Sequence, residues 1–189
     1  MKPTSVTSSR ALLHKTFALI PYPAPEIPAI EITGTVTRQA NILSIHYSVC
    51  GEIENILVPE PSTSSRKDDL WKATCFEFFI AVKDQPHYWE FNMSPTSEWN
   101  VYAMDAYRQA NMREELAFTQ LPFEFRKTNE GISLDISVNL NPILQPDQVL
   151  QIGITTIIQT RDGNEIYWAL AHPGVQTDFH LRESFVINI

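Results

Sequence analysis

The sequence predicts an all-β protein, an antiparallel β-sandwich closed over one hydrophobic core. Three observations predict it. Apolar residues recur at every second position through many short segments, as they do where a strand buries one face. Turn-forming residues separate those segments. The chain also lacks βαβ alternation, internal repeats and a phosphate-binding glycine loop, with only 6 glycines among 189 residues. That length, with 43% hydrophobic and 11% aromatic residues, suits one domain with a sizeable core.

Residues 1–28 read as an N-terminal arm. Pro21, Pro23, Pro25 and Pro28 favour an extended segment lying along the body, and one ligand-binding sandwich is expected over residues 29–189. The start superficially resembles a signal peptide, but His14 and Lys15 break the stretch ALLHKTFALI and no cleavage site follows it. A mature cytoplasmic protein is therefore expected. Ile30–Arg38 and Leu43–Val49 both alternate and form a hairpin around Gln39-Ala40-Asn41, with His46 on its polar face. Residues 52–69 are polar and rich in Pro and Ser, a loop able to form one rim of a site.

The stretch from Leu70 to Arg108 organises the rest. In Thr74–Val82, Phe76, Phe78 and Ile80 share one parity, while Cys75, Glu77, Phe79 and Ala81 share the other. In Tyr88–Ser94, Trp89, Phe91 and Met93 are apolar, while Tyr88, Glu90, Asn92 and Ser94 face the other way. Lys83-Asp84-Gln85-Pro86-His87 joins the two as a turn. Antiparallel pairing with the apolar faces together puts Glu77 on the same face as Glu90 and Asn92. A third strand follows from Trp99, and Asn111–Gln120 reads as a short helix.

Phe123–Thr128 is the next strand. Asn129-Glu130-Gly131 is its turn, with the glycine expected at positive φ. Ile132–Leu140 alternates most cleanly of all. Leu150–Ile158, Glu165–Ala171 and Ser184–Ile189 complete the set, with Arg161-Asp162-Gly163-Asn164 as a further turn. The total is roughly nine to eleven strands, which is sandwich or barrel content. Phe76, Phe78, Ile80, Trp89, Phe91, Leu134, Ile136, Ile152 and Ile154 are the expected core.

Composition also bounds function. With 14 basic against 22 acidic residues the net charge is −8. That disfavours nucleic acid and anionic membrane surfaces as partners, since both demand a basic footprint. No apolar run has the length of a membrane helix. Cys50 and Cys75 could pair, but read more simply as reduced thiols. Neither CxxC nor HExxH occurs. The oligomeric state stays open.

The candidate site is the mixed face of the central hairpin with its flanking loops: Trp71, Glu77, Glu90, Asn92, Trp99, Tyr107 and Arg108. Aromatic faces pack on C–H surfaces while carboxylates accept hydroxyl hydrogen bonds, a combination suited to a carbohydrate or related polar small molecule. The bland reading is a wet sheet face on which Glu and Asn cost little. Trp99 and Tyr107 share one parity and Arg108 has the other, so a regular strand cannot present all three together.

LWKATCFEFFI, YWEFNMSP, WNVYAMDAYR and a late DFH, in that order, resemble the bacterial DOMON-like proteins, relatives of family 9 carbohydrate-binding modules. The resemblance runs from about Leu70 to the end. It implies a ligand-binding β-sandwich of the jelly-roll kind, in a superfamily whose members bind sugars or haem. Family 9 modules hold a terminal sugar between tryptophans with polar side chains beside it. Carried over, Trp71 and Trp99 are the aromatic candidates, with Glu77, Glu90, Asn92 and Arg108 as polar partners.

A non-catalytic module without a cofactor is therefore expected. Three alternatives stand beside it. Haem-binding relatives use Met and His, for which Met93 with His172 or His180 would serve. Calcium could sit at Asp68 and Asp69. A glycan-processing enzyme could use Glu77 and Glu90 as acid and base. Asp178 and His180 read more simply as residues anchoring the last turn.

Overall fold

A computed structural model describes residues 11–107 and 112–189. Thirteen strands run through the described residues: β1 (Leu13–Ala18), β2 (Ile20–Pro21), β3 (Ile30–Gln39), β4 (Ile42–Gly51), β5 (Cys75–Val82), β6 (Tyr88–Met93), β7 (Trp99–Met104), β8 (Arg113–Glu114), β9 (Phe123–Lys127), β10 (Ile132–Asn139), β11 (Leu150–Gln159), β12 (Glu165–Ala169) and β13 (Ile187–Asn188). They build two antiparallel sheets. One has the order β1-β3-β4-β10-β9 and the other β2-β12-β11-β5-β6-β7-β8, with β13 beside β11. The all-β sandwich expected from the period-two pattern is the observed fold.

The core lies between the sheets. From β5, Phe76, Phe78 and Ile80 point into it, and from β6, Trp89, Phe91 and Met93. The opposite sheet supplies Val36, Ile45, Tyr47, Leu134 and Ile136. All nine expected core residues are buried there. Phe78 and Phe91 stand opposite in register and stack at 4.5 Å between ring centroids.

Tyr47 ties the two sheets together. Its hydroxyl crosses the core from β4 and donates to the backbone carbonyl of Glu77 on β5 at 2.7 Å. Burial, then the charge of Glu77, raises its pKa, so the phenol stays a neutral donor. Tyr47→Phe leaves that carbonyl without the bond and should cost about 1–2 kcal/mol in urea unfolding. A change below a few tenths would show that the bond contributes nothing net.

Four local expectations change. The N-terminal arm is partly sheet: β1 forms an edge beside β3, and β2 pairs with β12. Only Phe17 of β1 is buried, so its alternation is faint. In the described part of Asn111–Gln120 there is no helix; Arg113 and Glu114 pair with Ala103 and Tyr102 instead. Gly131 is not at positive φ; a Cβ there would sit 2.8 Å from the carbonyl oxygen of Val49 on the neighbouring strand. The last strand shrinks to β13 because a 3-10 turn occupies Arg182–Ser184.

Both cysteines are free, Cys50 exposed and Cys75 buried.

Candidate functional site

Side chains of the larger sheet that do not enter the core point outward, yet the middle strands are buried on that side too. Every residue of β5, β6 and β7 is buried. The wet-face reading therefore fails. Phe79, Ala81, Tyr88, Tyr102, Met104 and Phe185 form a second apolar cluster there, with Trp71 and Phe179 packed against it. Trp71 comes from a 3-10 turn at Leu70–Lys72, and Phe179 and Phe185 from the segment after β12. Gly153 of β11 makes room for this cover: a Cβ on it would lie 2.8 Å from the Phe185 ring.

Glu77 and Glu90 lie in this layer. Across the β5–β6 register Glu77 stands opposite Asn92, and Phe79 opposite Glu90. The two carboxyls are thus diagonal neighbours on one face, as parity predicted. Glu77 is 2% exposed and Glu90 5%. Thr155 Oγ1 donates to Glu77 Oε2 at 3.1 Å, and Asn92 Nδ2 donates to Glu90 Oε1 at 2.8 Å. Glu77 Oε1 and Asn92 Oδ1 have no hydrogen-bond partner among the described residues. Native proteins rarely leave such acceptors buried and unmet.

Charge follows the geometry. Burial, then repulsion by Glu90, raises the pKa of Glu77. Burial also raises Glu90, although the nearby His180 pulls it down. His180 Nε2 lies 3.9 Å from Glu90 Oε2, and its Nδ1 meets the Tyr88 hydroxyl at 3.0 Å. The thiol of Cys75 is raised by burial first and then by Glu77. Two carboxyls so placed resist ionising together.

Above them is a cavity of about 190 Å³ lined by Trp71, Glu77, Phe79, Glu90, Met112, Ile157, Tyr167, Thr177, Asp178, Phe179 and His180. Its floor is carboxylic and its walls are largely aromatic. Tyr167 packs edge-to-face on Phe179 at 5.9 Å, and Trp71 likewise on Tyr102 at 5.9 Å.

The structure sorts the candidate residues. Trp71, Glu77 and Glu90 line the cavity. Asn92 lies just beneath, bonded to Glu90. Tyr107 is a strut at the rim, its hydroxyl donating to Asp178 Oδ2 at 2.8 Å. Trp99 is on the wrong face: it points into the core with Val101 and Ala103, and Arg66 covers its ring at 4.5 Å. Its parity with those two apolar residues dictates that position. Arg108 lies outside the described residues. Asp178 and His180, read most simply as turn anchors, line the cavity as well, while Asp178 Oδ1 does accept the His180 N–H at 3.0 Å. The DFH motif signalled both residues but not their role.

Cofactor candidates sort similarly. Met93 enters the core while His180 stands on the outer face of the same sheet, so these two cannot grip one haem. Asp68 accepts from Asn100 and Tyr102, and Asp69 pairs with Lys72. One oxygen of each, Asp68 Oδ1 and Asp69 Oδ2, meets a protein donor.

No protein-family model matches the sequence, and no curated protein matches it. Solved structures do. A protein from Bacteroides uniformis ATCC 8492, described as a candidate carbohydrate-binding protein, superposes with a TM-score of 0.65 over 90% of this chain and 83% of its own, at 10% identity. A family 9 carbohydrate-binding module from Caldicellulosiruptor kristjanssonii, solved with cellotriose, gives a TM-score of 0.48 at 9% identity over 81% and 71% of the two chains. A structure with glucose gives 0.46 at 9% identity over 77% and 69%. The likeness is one of fold. At these identities it transfers no site.

Proposed function

We propose that the chain is a non-catalytic binding module that takes a carbohydrate or related polar small molecule in the cavity on the outer face of its larger sheet. One observation carries the reading. A buried carboxyl, Glu77, forms the cavity floor with an oxygen that no described donor reaches, and it does so beneath aromatic walls. A ligand with N–H or O–H donors and an apolar face complements both features. The fold shared with the Bacteroides uniformis candidate carbohydrate-binding protein supports the same ligand class.

Size argues against catalysis. Glycoside cleavage sets the scissile bond between two carboxyls, with the sugar on one side and the leaving group on the other. A cavity of about 190 Å³ is below the usual range for ligand pockets and suits one small unit. Glycosides offered in a broad panel should therefore bind without turnover. Hydrolysis abolished by Glu77→Gln with binding retained would establish an enzyme instead.

The binding test is calorimetric titration of sugars into the wild type and three variants. Trp71→Ala should weaken binding by more than about tenfold, since aromatic anchors dominate small sites. Glu90→Gln should weaken it too. Trp99→Ala should reduce stability yet leave affinity alone. Unchanged affinity in both Trp71→Ala and Glu90→Gln would remove the ligand from this cavity.

A further inference from the structure

The balance of charge in the cavity narrows the ligand. Among its described lining residues are three carboxyls, Glu77, Glu90 and Asp178, and no lysine or arginine. Among the described lining residues the one basic group is His180, which is shared: Nδ1 with the Tyr88 hydroxyl and Nε2 facing Glu90 at 3.9 Å. Asp178 is committed to the rim through Tyr107 and the His180 backbone. Glu77 is different. It is almost wholly buried, its Oε1 has no hydrogen-bond partner among the described residues, and the donors beside the carboxyl are neutral, the Thr155 hydroxyl and the Cys75 thiol. A buried carboxyl left in this way is costly unless a cation or a proton joins it.

The walls favour the same answer. Trp71, Tyr167 and Phe179 line the cavity with the carboxyls, and Phe79 lies beside Glu90 in its floor. Aromatic faces attract cations through their quadrupoles, and most strongly where water is excluded. A net charge of −8 draws cations to the protein as a whole.

We infer that the cavity is built for a protonated amine, with Glu77 and Glu90 as its counter-charges and the aromatic walls around it. An amino sugar meets both halves of the site, because its ring offers C–H faces and its ammonium offers three donors. This rests on the ligand-binding reading of the cavity and names the chemistry of that ligand. The ammonium displaces the proton from the Glu77 carboxyl. That proton passes to solvent buffer, and the ammonium donates to the carboxylate left behind. No bond other than O–H breaks.

Among the described residues the titratable groups near this exchange are Glu90, His180, Asp178, Tyr88, Tyr167 and Cys75 on the outer side and Tyr47 on the core side. Burial and then Glu165 push Tyr167 up to about 12, so its phenol takes no part near neutrality.

The test titrates the full chain with D-glucosamine, D-glucose, N-acetyl-D-glucosamine and n-butylammonium, at a pH below the amines' own pKa. Charge-assisted hydrogen bonds should make glucosamine bind about tenfold tighter than glucose. Acetylation of the amine should erase that advantage. Repeating the titration in two buffers of different ionisation enthalpy should show proton release with glucosamine and none with glucose. Glu77→Gln should abolish both the preference and the proton release.

Glucose bound as tightly as glucosamine, with both lost in Trp71→Ala, overturns the ammonium and leaves the carbohydrate reading standing. Butylammonium bound in a Glu77-dependent manner, with no sugar bound, keeps the ammonium and overturns the carbohydrate. Failure of all four ligands to bind overturns both.

Discussion

Phe78→Ala or Phe91→Ala should each destabilise the protein by about 3–5 kcal/mol. Both rings are completely buried, and they stack against one another at 4.5 Å with an interplanar angle of 9°. Phe118 packs edge-on against Phe91 at 5.3 Å and closes the group. Deleting either ring removes its transfer energy and leaves a hole. The hole cannot collapse, because β5 and β6 are held by hydrogen-bonded neighbours on both sides. The double variant should cost less than the sum of the two, since each single change already loses the stack. Urea denaturation of all three measures this. Losses under about 1 kcal/mol for both single variants would mean that these residues face outward and Glu77 inward.

The same alternation explains what could be read in the sequence. Parity in Cys75–Val82 and Tyr88–Met93 identifies the core face and puts Glu77, Glu90 and Asn92 together, because a strand's side chains can only alternate. Parity also places Trp99 in the core with Val101 and Ala103. Reading Trp99 as a site wall set a family resemblance above that pattern. The cover over the outer face was not legible. Trp71, Phe179 and Phe185 sit on irregular segments with no period, and their packing on Phe79 and Tyr88 joins residues far apart in the chain. Without that cover Glu77 reads as solvated, and His180 reads as a turn residue. β1 escaped for a related reason: an edge strand with one buried side chain carries little alternation.

Glu77→Gln should make the protein more stable while it weakens ligand binding. In the unfolded chain this carboxyl titrates in the ordinary carboxylate range. In the fold, burial and then the charge of Glu90 raise it. A raised acid is a folding penalty that depends on pH. Below the unfolded pKa the group is protonated in both states and costs nothing. As pH climbs toward the raised native value the unfolded state gives up its proton first, so stability falls. Wild-type stability should therefore decline between about pH 5 and 8, and the Gln variant should decline less. At the upper end the variant should gain about 1–3 kcal/mol, the cost of a poorly met buried polar group. Glu90 adds to the slope in the same sense, because burial raises it more than His180 lowers it. The double Gln variant should then be nearly flat over this window. Thermal unfolding across the pH series measures each slope. Parallel curves for wild type and Glu77→Gln would show that Glu77 ionises in the fold as it does in water. A stability gain with lost affinity is the signature of a carboxyl kept for its ligand at the expense of the fold.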